Sequence, residues 1–118
     1  MISKIAIKEK EIQKESEKML MAMCQEFYEN RKVDFSKYLM PNISHRNIME
    51  EDIGVFLSEL VRYELIECEY NNKTRECWLG FHIYEDCPEG NPHVALKFKP
   101  IDATWKIDEV SLLYKYYC

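Results

Sequence analysis

The first part of the chain repeats apolar residues with the period of an amphipathic helix. Over residues 1–31 apolar side chains recur at steps of three and four, while charged side chains cover the opposite side. Ser3 is a candidate N-cap and Asn30 a candidate stop signal. The pattern predicts one long helix whose apolar stripe packs into a core. The residues of this stripe are Ile12, Ser16, Met19, Leu20, Met23, Cys24 and Phe27.

Two shorter helices are predicted after the long one. Residues 34–39 favour a short helix that is capped by Asp34 and ended by Pro41. Asn47 and Glu50 have the spacing of a capping box, with Asn47 as the cap and Glu50 at the third helical position. The next helix is therefore predicted to begin after Asn47. Its buried stripe consists of Ile53, Phe56, Leu57, Leu60 and Val61.

From Tyr63 onward the apolar residues alternate with a period of about two, which is typical of strands. The predicted strands cover residues 63–71, 75–85, 93–99 and 104–117. In the third strand, Lys97 and Lys99 are expected to point outward. In the fourth, the inward series changes from odd to even numbers, which predicts a bulge near Asp108 and Glu109.

The order of these elements predicts an α+β fold. N-terminal helices in residues 1–62 are expected to pack on one face of a curved, cone-like, four-stranded antiparallel meander in residues 63–118. This arrangement buries every apolar stripe described above. A chain of this length fits one domain, so residues 1–118 are predicted to form a single α+β domain.

The connection between the first two strands sets the predicted faces of the sheet. Asn72 and Lys73 suit a tight two-residue hairpin turn. That register places Cys68 directly opposite Cys77, with Ile66 on the same buried face. The two thiols are expected to pack in the reduced state, because cross-strand disulfide geometry is often strained.

The outer face of this hairpin is predicted to be acidic and aromatic. The register places Glu69 directly opposite Glu76, a like-charge pair that costs stability unless a basic partner meets it. Aromatic anchors within a charged rim are also common at interfaces. The alternative is a solvated face whose Trp78 is covered by a terminus or by a second copy. The predicted partner-binding residues are Glu67, Glu69, Glu76, Trp78, His82 and Tyr84.

Composition and charge limit the classes of function. The 118 residues carry a formal net charge of −5. Nucleic-acid-binding proteins are usually basic, so we expect no nucleic-acid partner. No stretch has the pattern of a membrane span or an export signal, which predicts a cytoplasmic protein without membrane contact. The five cysteines are then expected to be reduced.

The sequence contains no recognisable catalytic or metal-binding motif. No histidine has a spacing to Ser or Cys that indicates nucleophilic catalysis, and Cys-x-x-Cys does not occur. Cys87 and His93 share a loop with Glu85 and Asp86, the one grouping that offers metal ligands. We therefore predict no cofactor, no metal site and no catalytic residue, and favour a protein that is not an enzyme.

Two local phrases and the order of the elements resemble the nuclear-transport-factor-2-like superfamily. Residues 38–43, Tyr-Leu-Met-Pro-Asn-Ile, look like that family's passage from helix to loop, and residues 105–110, Trp-Lys-Ile-Asp-Glu-Val, are similar to its closing strand. The chain departs from the family pattern at residues 42–47, where an early strand would be very short or absent. The resemblance implies a cone-shaped fold. Members include small-ligand pocket enzymes, dimerising scaffolds and immunity proteins that neutralise bacterial toxins.

Three functions are compatible with the sequence. The leading hypothesis is a non-enzymatic protein-binding domain, specifically an immunity protein that binds and neutralises a basic toxin domain through the outer face. The alternative is a small-ligand-binding protein or pocket enzyme, with Tyr70, Tyr114 and Asp108 lining a pocket between helices and sheet. The third is a homodimeric structural domain that uses the sheet face or the edge of the final strand.

Overall fold

The computed structural model describes residues 4–41, 43–59, 64–83, 93–102 and 104–112. The helices are α1 (Lys4–Asn30), a short 3-10 helix (Phe35–Lys37) and α2 (Arg46–Glu59). The strands are β1 (Glu64–Tyr70), β2 (Cys77–His82), β3 (Val94–Ile101) and β4 (Thr104–Leu112). Neighbouring strands pair antiparallel in the order β1-β2-β3-β4, so the predicted α+β fold is confirmed. No helix in these ranges is long and apolar enough to cross a membrane.

Helix α1 ends where the sequence predicts. Its last residue is Asn30, and Arg31 follows with a left-handed φ of 55°. The Arg31 N–H donates to the Phe27 carbonyl at 2.8 Å, which closes the final turn. Ser3, the predicted cap, lies outside the described residues. The buried members of the predicted stripe are Ile12, Ser16, Leu20 and Met23, and Met19, Cys24 and Phe27 are partly buried.

Helix α2 begins earlier than predicted. Its first residue is Arg46, so Asn47 lies inside the first turn and the prediction that it caps the helix was wrong. The N–H of Met49 already donates to the carbonyl of His45 at 3.0 Å, which starts the helical bonding two residues earlier. Glu50 pairs with Arg46 instead, at 3.2 Å. Of the predicted stripe, Ile53, Phe56 and Leu57 are buried, while Leu60 and Val61 lie outside the described residues.

The predicted short helix at 34–39 is a single 3-10 turn. Asp34 caps it as expected, because its carboxylate accepts a hydrogen bond from the N–H of Ser36 at 3.2 Å. A serine or aspartate at this position satisfies backbone donors that a helix start leaves without partners. The turn directs the chain from α1 toward the edge of the sheet.

The chain after this turn pairs with β4. Leu39 forms a parallel bridge with Ile107. The Ile107 N–H donates to the Tyr38 carbonyl at 2.8 Å, and the Met40 N–H donates to the Ile107 carbonyl at 2.9 Å. These bonds tie the connection between the helices to the first half of β4, which would otherwise be an open edge.

The helices and the inner face of the sheet share one hydrophobic core. Burying each large apolar side chain contributes roughly 1.5–3 kcal/mol. Side chains of this size come from both halves of the chain, so neither layer packs alone. They are Ile12, Met23, Leu39, Ile53, Phe56 and Leu57 from the helical half, and Leu79, Phe81, Ile83, Leu96, Phe98 and Ile107 from the strand half.

Strand β4 contains the predicted bulge. Lys97 pairs with Glu109 and Phe98 pairs with Ile107, so Asp108 is the extra residue. A bulge of this kind lets two residues on one strand oppose one on its partner. The inward-facing residues therefore change from odd to even numbers, and both sets still pack against the core. Its members are Trp105 and Ile107 before the bulge, and Val110 and Leu112 after it.

The hairpin between β1 and β2 has a different register from the predicted one. Glu69 pairs with Trp78, so the prediction that it faces Glu76 was wrong. The cause is a longer connection: the Asn71 N–H donates to the Glu76 carbonyl at 2.8 Å, and Arg75 adopts a left-handed φ of 63°. The Asn71 side chain supports this turn by accepting hydrogen bonds from the next backbone amides.

The new register differs by two residues, so it preserves the predicted faces. Cys68 pairs with Leu79 rather than with Cys77, but both partners belong to the buried series of β2. Strand β1 also has an irregularity at Ile66, which was predicted to point inward. Leu65 packs against the core there, because the extra residue shifts the alternation by one.

Candidate functional site

The outer face of the sheet brings together five of the six predicted partner-binding residues, Glu76 among them. On β2, alternate residues are buried beneath the helices, which leaves Trp78 and His82 on the opposite face. On β1, Glu67 and Glu69 are exposed, and Glu69 pairs directly with Trp78. Tyr84 lies outside the described residues. The predicted association of carboxylates with Trp78 therefore has a geometric basis on two adjacent strands.

A groove of ≈ 680 Å³ lies on this face. Small residues on neighbouring strands form a row across the sheet: Gly80 pairs with Ala95, and Ala95 pairs with Ser111. Glu67 lies beside Gly80 at the end of that row. The row forms a depression because the next row holds long side chains. The lining, called the outer groove below, consists of Ile66, Glu67, Cys68, Glu69, Trp78, Leu79, Gly80 and Ala95.

Glu67 and Glu69 give the outer groove its negative charge. Both side chains are exposed. Within the described ranges, neither carboxylate has an ion pair or a hydrogen bond to another side chain. Two charges of the same sign on one strand create a local negative potential that attracts cations. The groove can therefore accept a positively charged group without first breaking an internal contact.

Glu76, the third predicted carboxylate, is occupied within the molecule. Lys97 Nζ lies 3.4 Å from one of its oxygens, and Lys99 Nζ lies 3.6 Å from the other. Its side chain is only 25% exposed. The two lysines occupy outward positions of β3, next to the start of β2. Glu76 therefore adds little free charge to the outer groove.

The two lysines also bind the bulge of β4. Lys97 Nζ lies 3.1 Å from Asp108 and 3.5 Å from Glu109, and Lys99 Nζ lies 3.4 Å from Asp108. Burial alone would lower the pKa of Lys97, but the hydrogen bond to Asp108 and the nearby carboxylates raise it above its ordinary value. These five residues are called the lysine cluster below, and none of them belongs to the lining of the outer groove.

Trp78 connects the outer groove to the lysine cluster. Lys97 pairs with it across β2 and β3, and Lys97 Nζ lies 5.7 Å from the centre of the Trp78 ring. This is the distance of a cation–π contact. Trp78 is thus half-buried by Lys97 on one side, while Glu69 flanks it on β1. The ring is held in place and still presents an apolar surface.

His82 lies at the other end of the outer face. Its ring centre is 4.9 Å from that of His93, which is fully buried and accepts a hydrogen bond from the Ile83 N–H at 2.8 Å. Cys87, Glu85 and Asp86, which share a loop with His93 in the sequence, lie outside the described residues. Within the part of the chain that the structure describes, no group of three His, Cys, Asp or Glu side chains is placed to hold a metal ion.

A second cavity of ≈ 750 Å³ lies between the connection after the 3-10 helix, α2 and β4. Asp108, one of the predicted pocket residues, lines it together with Lys99, His45 and Asp52. Tyr70 does not line it. Its ring instead packs edge-on against Trp105 with ring centres 6.5 Å apart, and Tyr114 lies outside the described residues. The remaining lining is Met40, Pro41, Ile43, Ser44, Ile48, Met49, Glu109 and Val110.

Sequence reasoning missed the contribution of Lys97 and Lys99. Their outward direction was predicted from alternation, as was that of Glu76. The predicted meander pairs the second strand with the third, but the pattern did not provide their register, which places Lys97 opposite Trp78. The signal that could have found the lysine cluster is the charge on facing outward positions of adjacent strands. Gly80 and Ala95 were missed because small residues carry no chemical motif.

The fold and the outer face together define an α+β domain with helices on one face of the sheet and, among the described residues, no further element on the other. Comparisons with known proteins find no family model, no curated protein and no solved structure that matches the chain. The function must therefore follow from the residues themselves, chiefly from those of the outer groove.

Proposed function

We propose that the chain is a non-enzymatic protein-binding domain whose outer groove takes a basic segment of a partner protein. The observation that carries this proposal is the exposure of Glu67 and Glu69 beside Trp78, with no cation from the described residues paired to either carboxylate. Lys or Arg side chains of a partner would supply the missing charges. The row of small residues next to them leaves space for the partner's backbone.

The contrast with Glu76 supports this proposal. All three glutamates lie on one face, but Lys97 and Lys99 extend from β3 and reach only Glu76. Glu67 and Glu69 lie on β1, the edge strand on the far side of β2. Charges on an edge strand also prevent unwanted strand pairing. The aromatic surface of Trp78 beside them favours recognition, since interfaces commonly place an aromatic anchor inside a charged rim.

The net charge of −5 favours a basic partner as well. A negative domain attracts a positive partner over distance, which raises the rate of association. Salt screens that attraction over about 8 Å at physiological ionic strength. Affinity for the partner is therefore expected to fall as salt is added.

In its specific form, the proposal is a cytoplasmic immunity protein that neutralises a basic toxin domain. Toxins that act on nucleic acid need basic surfaces to hold phosphates. A groove lined by carboxylates can occupy such a surface in place of the phosphates. The small size and acidic charge of the chain support this role, and so does the resemblance to a superfamily that includes immunity proteins.

The test is capture of a partner from the native host by three tagged forms of the chain. The parent is compared with Glu67→Lys/Glu69→Lys, which reverses the charge of the outer groove. The matched control is Glu17→Lys/Glu51→Lys, on the exposed sides of α1 and α2. Each pair of substitutions changes the net charge from −5 to −1, so a general charge effect would weaken both variants equally.

We expect a basic protein to be retained by the parent and by the helix variant, and to be lost with the outer-groove variant. Titration of the purified partner should show at least about a tenfold loss of affinity for that variant alone. Co-expression of the partner with the parent should restore growth that the partner alone prevents. Equal retention by all three forms would contradict the assigned surface, and rescue without binding would contradict the mechanism.

The second cavity supports a second candidate function, a small-ligand-binding protein or pocket enzyme. Its mixture of apolar side chains with Asp108, Asp52 and Lys99 is typical of pockets for small polar molecules. Failure to capture any basic protein would favour this candidate. Light scattering of the same samples distinguishes a homodimeric structural domain, which would show twice the mass of one chain.

A further inference from the structure

Two thiols lie side by side between β1, β2 and α1. The sulfur atoms of Cys68 and Cys77 are 3.7 Å apart, although the two residues are diagonal rather than directly opposite in the sheet. The two sulfur atoms are not bonded to each other. A disulfide bond requires a sulfur separation of about 2.05 Å. The two atoms therefore need to approach by about 1.6 Å to form a bond.

The two thiols differ in access. Cys77 is fully buried, whereas Cys68 is half-buried at the edge of the sheet. Hydrogen bonding to Cys77 lowers the pKa of the Cys68 thiol, while burial acts in the opposite direction. The same hydrogen bond, together with burial, raises the pKa of the Cys77 thiol. Cys68 is thus the thiol that ionises and meets reagents first, with Glu9 and Gln13 of α1 as its other polar neighbours.

The local backbone permits the approach. Cys77 is the first residue of β2 and follows the connection 71–75, all of which is exposed. A strand end next to an exposed connection can shift more easily than the centre of a strand. Cys68 lies on the edge strand, which has a single neighbour in the sheet. Cys77 pairs with Tyr70 on β1 and with Phe98 on β3, so the backbone of Cys68 is the one that can move toward its partner.

We infer that Cys68 and Cys77 form a thiol–disulfide exchange site that reacts with small disulfides of the glutathione type. Cys68 is the attacking thiol, and Cys77 is the resolving thiol. The inference does not depend on the proposed binding function, since it rests on the two thiols and not on the carboxylates of Glu67 and Glu69. It assigns the pair a reactive role in place of simple packing.

The reaction consists of two exchanges. The Cys68 thiolate attacks one sulfur of oxidised glutathione, the glutathione disulfide breaks, and one glutathione thiolate leaves and takes up a proton from solvent. The Cys77 thiol then loses its proton and attacks the Cys68 sulfur of the mixed disulfide. The second glutathione leaves as the thiol. The protein loses two electrons and two protons, and two molecules of reduced glutathione are formed.

The test uses the full chain with Cys24, Cys87 and Cys118 replaced by Ser, so that only the pair remains reactive. The folded protein is incubated with oxidised glutathione, and intact mass and peptide mapping follow the products. We expect loss of two hydrogen masses and a linkage between the peptides that contain Cys68 and Cys77. The parent chain, mapped in the same way, should give the same linked peptides.

Two variants in this background identify the roles. Cys77→Ala should trap one glutathione on Cys68, because the resolving thiol is absent. Cys68→Ala should react with oxidised glutathione at least about tenfold more slowly than the two-cysteine protein, because its remaining thiol, that of Cys77, is buried. Circular dichroism checks that each variant is folded. A stable glutathione adduct on Cys68 of the parent, or linkage only in urea, would overturn the inference.

Discussion

The side chain of Glu26 holds the connection between α1 and α2 against α1. The Tyr38 hydroxyl donates a hydrogen bond to the carboxylate of Glu26, and the ring is buried with only 8% exposure. Glu26 also accepts from Lys37 Nζ at 3.2 Å and from the Asp34 N–H at 3.4 Å. The Glu26 carboxylate thus binds three residues in and next to the 3-10 helix and holds them against the end of α1.

This contact makes stability depend on pH in two ranges. The hydrogen bond from Tyr38 lowers the pKa of Glu26, so its contribution is present above the ordinary value near 4.5 and is lost as pH falls through the lowered pKa. Burial, followed by the bond to Glu26, raises the pKa of Tyr38 to about 12. Its contribution is complete below the ordinary value of 10.0 and is lost as pH rises toward 12.

Tyr38→Phe should therefore lower the free energy of unfolding by about 1 kcal/mol at neutral pH, since the ring still packs but the hydrogen bond is gone. Urea denaturation at neutral pH measures the loss. The difference from the parent should shrink below pH 4 and above pH 10. An equal stability of both forms at neutral pH would contradict the role given to this bond.

At the scale of single residues, the sequence predicted contacts within one turn and missed those between elements. Asp34 was identified as a cap because its partner, Ser36, is two residues away. Glu26 and Tyr38 are twelve residues apart and meet only after the chain reverses direction. No local pattern encodes that reversal, so the contact could not be predicted.

At the scale of the elements, ion pairs as well as backbone hydrogen bonds join β3 to β4. The lysine cluster places Lys97 between three carboxylates, and its side chain is 13% exposed. Lys99 contacts two of the same carboxylates, but its side chain is 36% exposed. Partial burial strengthens an ion pair because solvent screens it less. The two lysines should therefore differ in their importance for stability.

Lys97→Met is expected to cost about 2 kcal/mol, because it leaves the largely buried carboxylates of Glu76 and Asp108 with only the more exposed Lys99 to neutralise them. Lys99→Met should cost less than about 1 kcal/mol, as is usual for exposed pairs. Since the pKa of Lys97 is raised, its contribution should persist through neutral pH and be lost only as pH rises above its ordinary value of 10.5. Paired urea titrations of the two variants measure the difference, and equal losses would contradict the assignment.

Strand patterns were predictable, but the connection between β1 and β2 was not. Alternation of apolar residues gave the inward and outward series and the position of the bulge at Asp108. The register depended on the turn, where Asn71 and Arg75 replace the expected Asn72–Lys73 turn by a longer one. Since Arg in a left-handed conformation has no strong sequence signal, the shift of two residues could not be predicted.

For the whole molecule, the shared core links the helices to the sheet. Trp105 shows this arrangement directly: it is buried on β4, its Nε1 donates to Glu11 of α1 at 3.4 Å, and its ring packs against Tyr70 of β1. Residues from three elements thus meet at one side chain. The helices and the sheet are therefore expected to unfold together.

A chain with Trp78→Phe retains Trp105 as its only tryptophan and allows this expectation to be tested. Far-ultraviolet circular dichroism reports on the helices, and Trp105 fluorescence reports on the contact between α1 and the sheet. Their urea midpoints should coincide, as they do in two-state unfolding. If the midpoint from circular dichroism lay at a lower urea concentration than the midpoint from fluorescence, the helices would unfold as a separate unit. That result would contradict the prediction of a single domain.

The fold class could be predicted because two periods, near 3.6 and near 2, occupy different halves of the chain. The acidic outer face was predictable in part, since exposure follows from alternation. The number of carboxylates without a lysine partner on this face could not be predicted, because it depends on which lysines reach across the sheet. Glu76 shows this difference, because Lys97 and Lys99 pair with it, whereas Glu67 and Glu69 stay exposed.

The bulge at Asp108 has a consequence for how this fold changes over evolution. Removing that one residue would leave Ile107, Val110 and Leu112 in the same inward series on a regular strand. The apolar pattern therefore does not require the insertion. What the insertion supplies is a carboxylate shared by Lys97 and Lys99. Related chains aligned with this one should tolerate a one-residue gap at 108, and those with the gap should also have lost a lysine from β3.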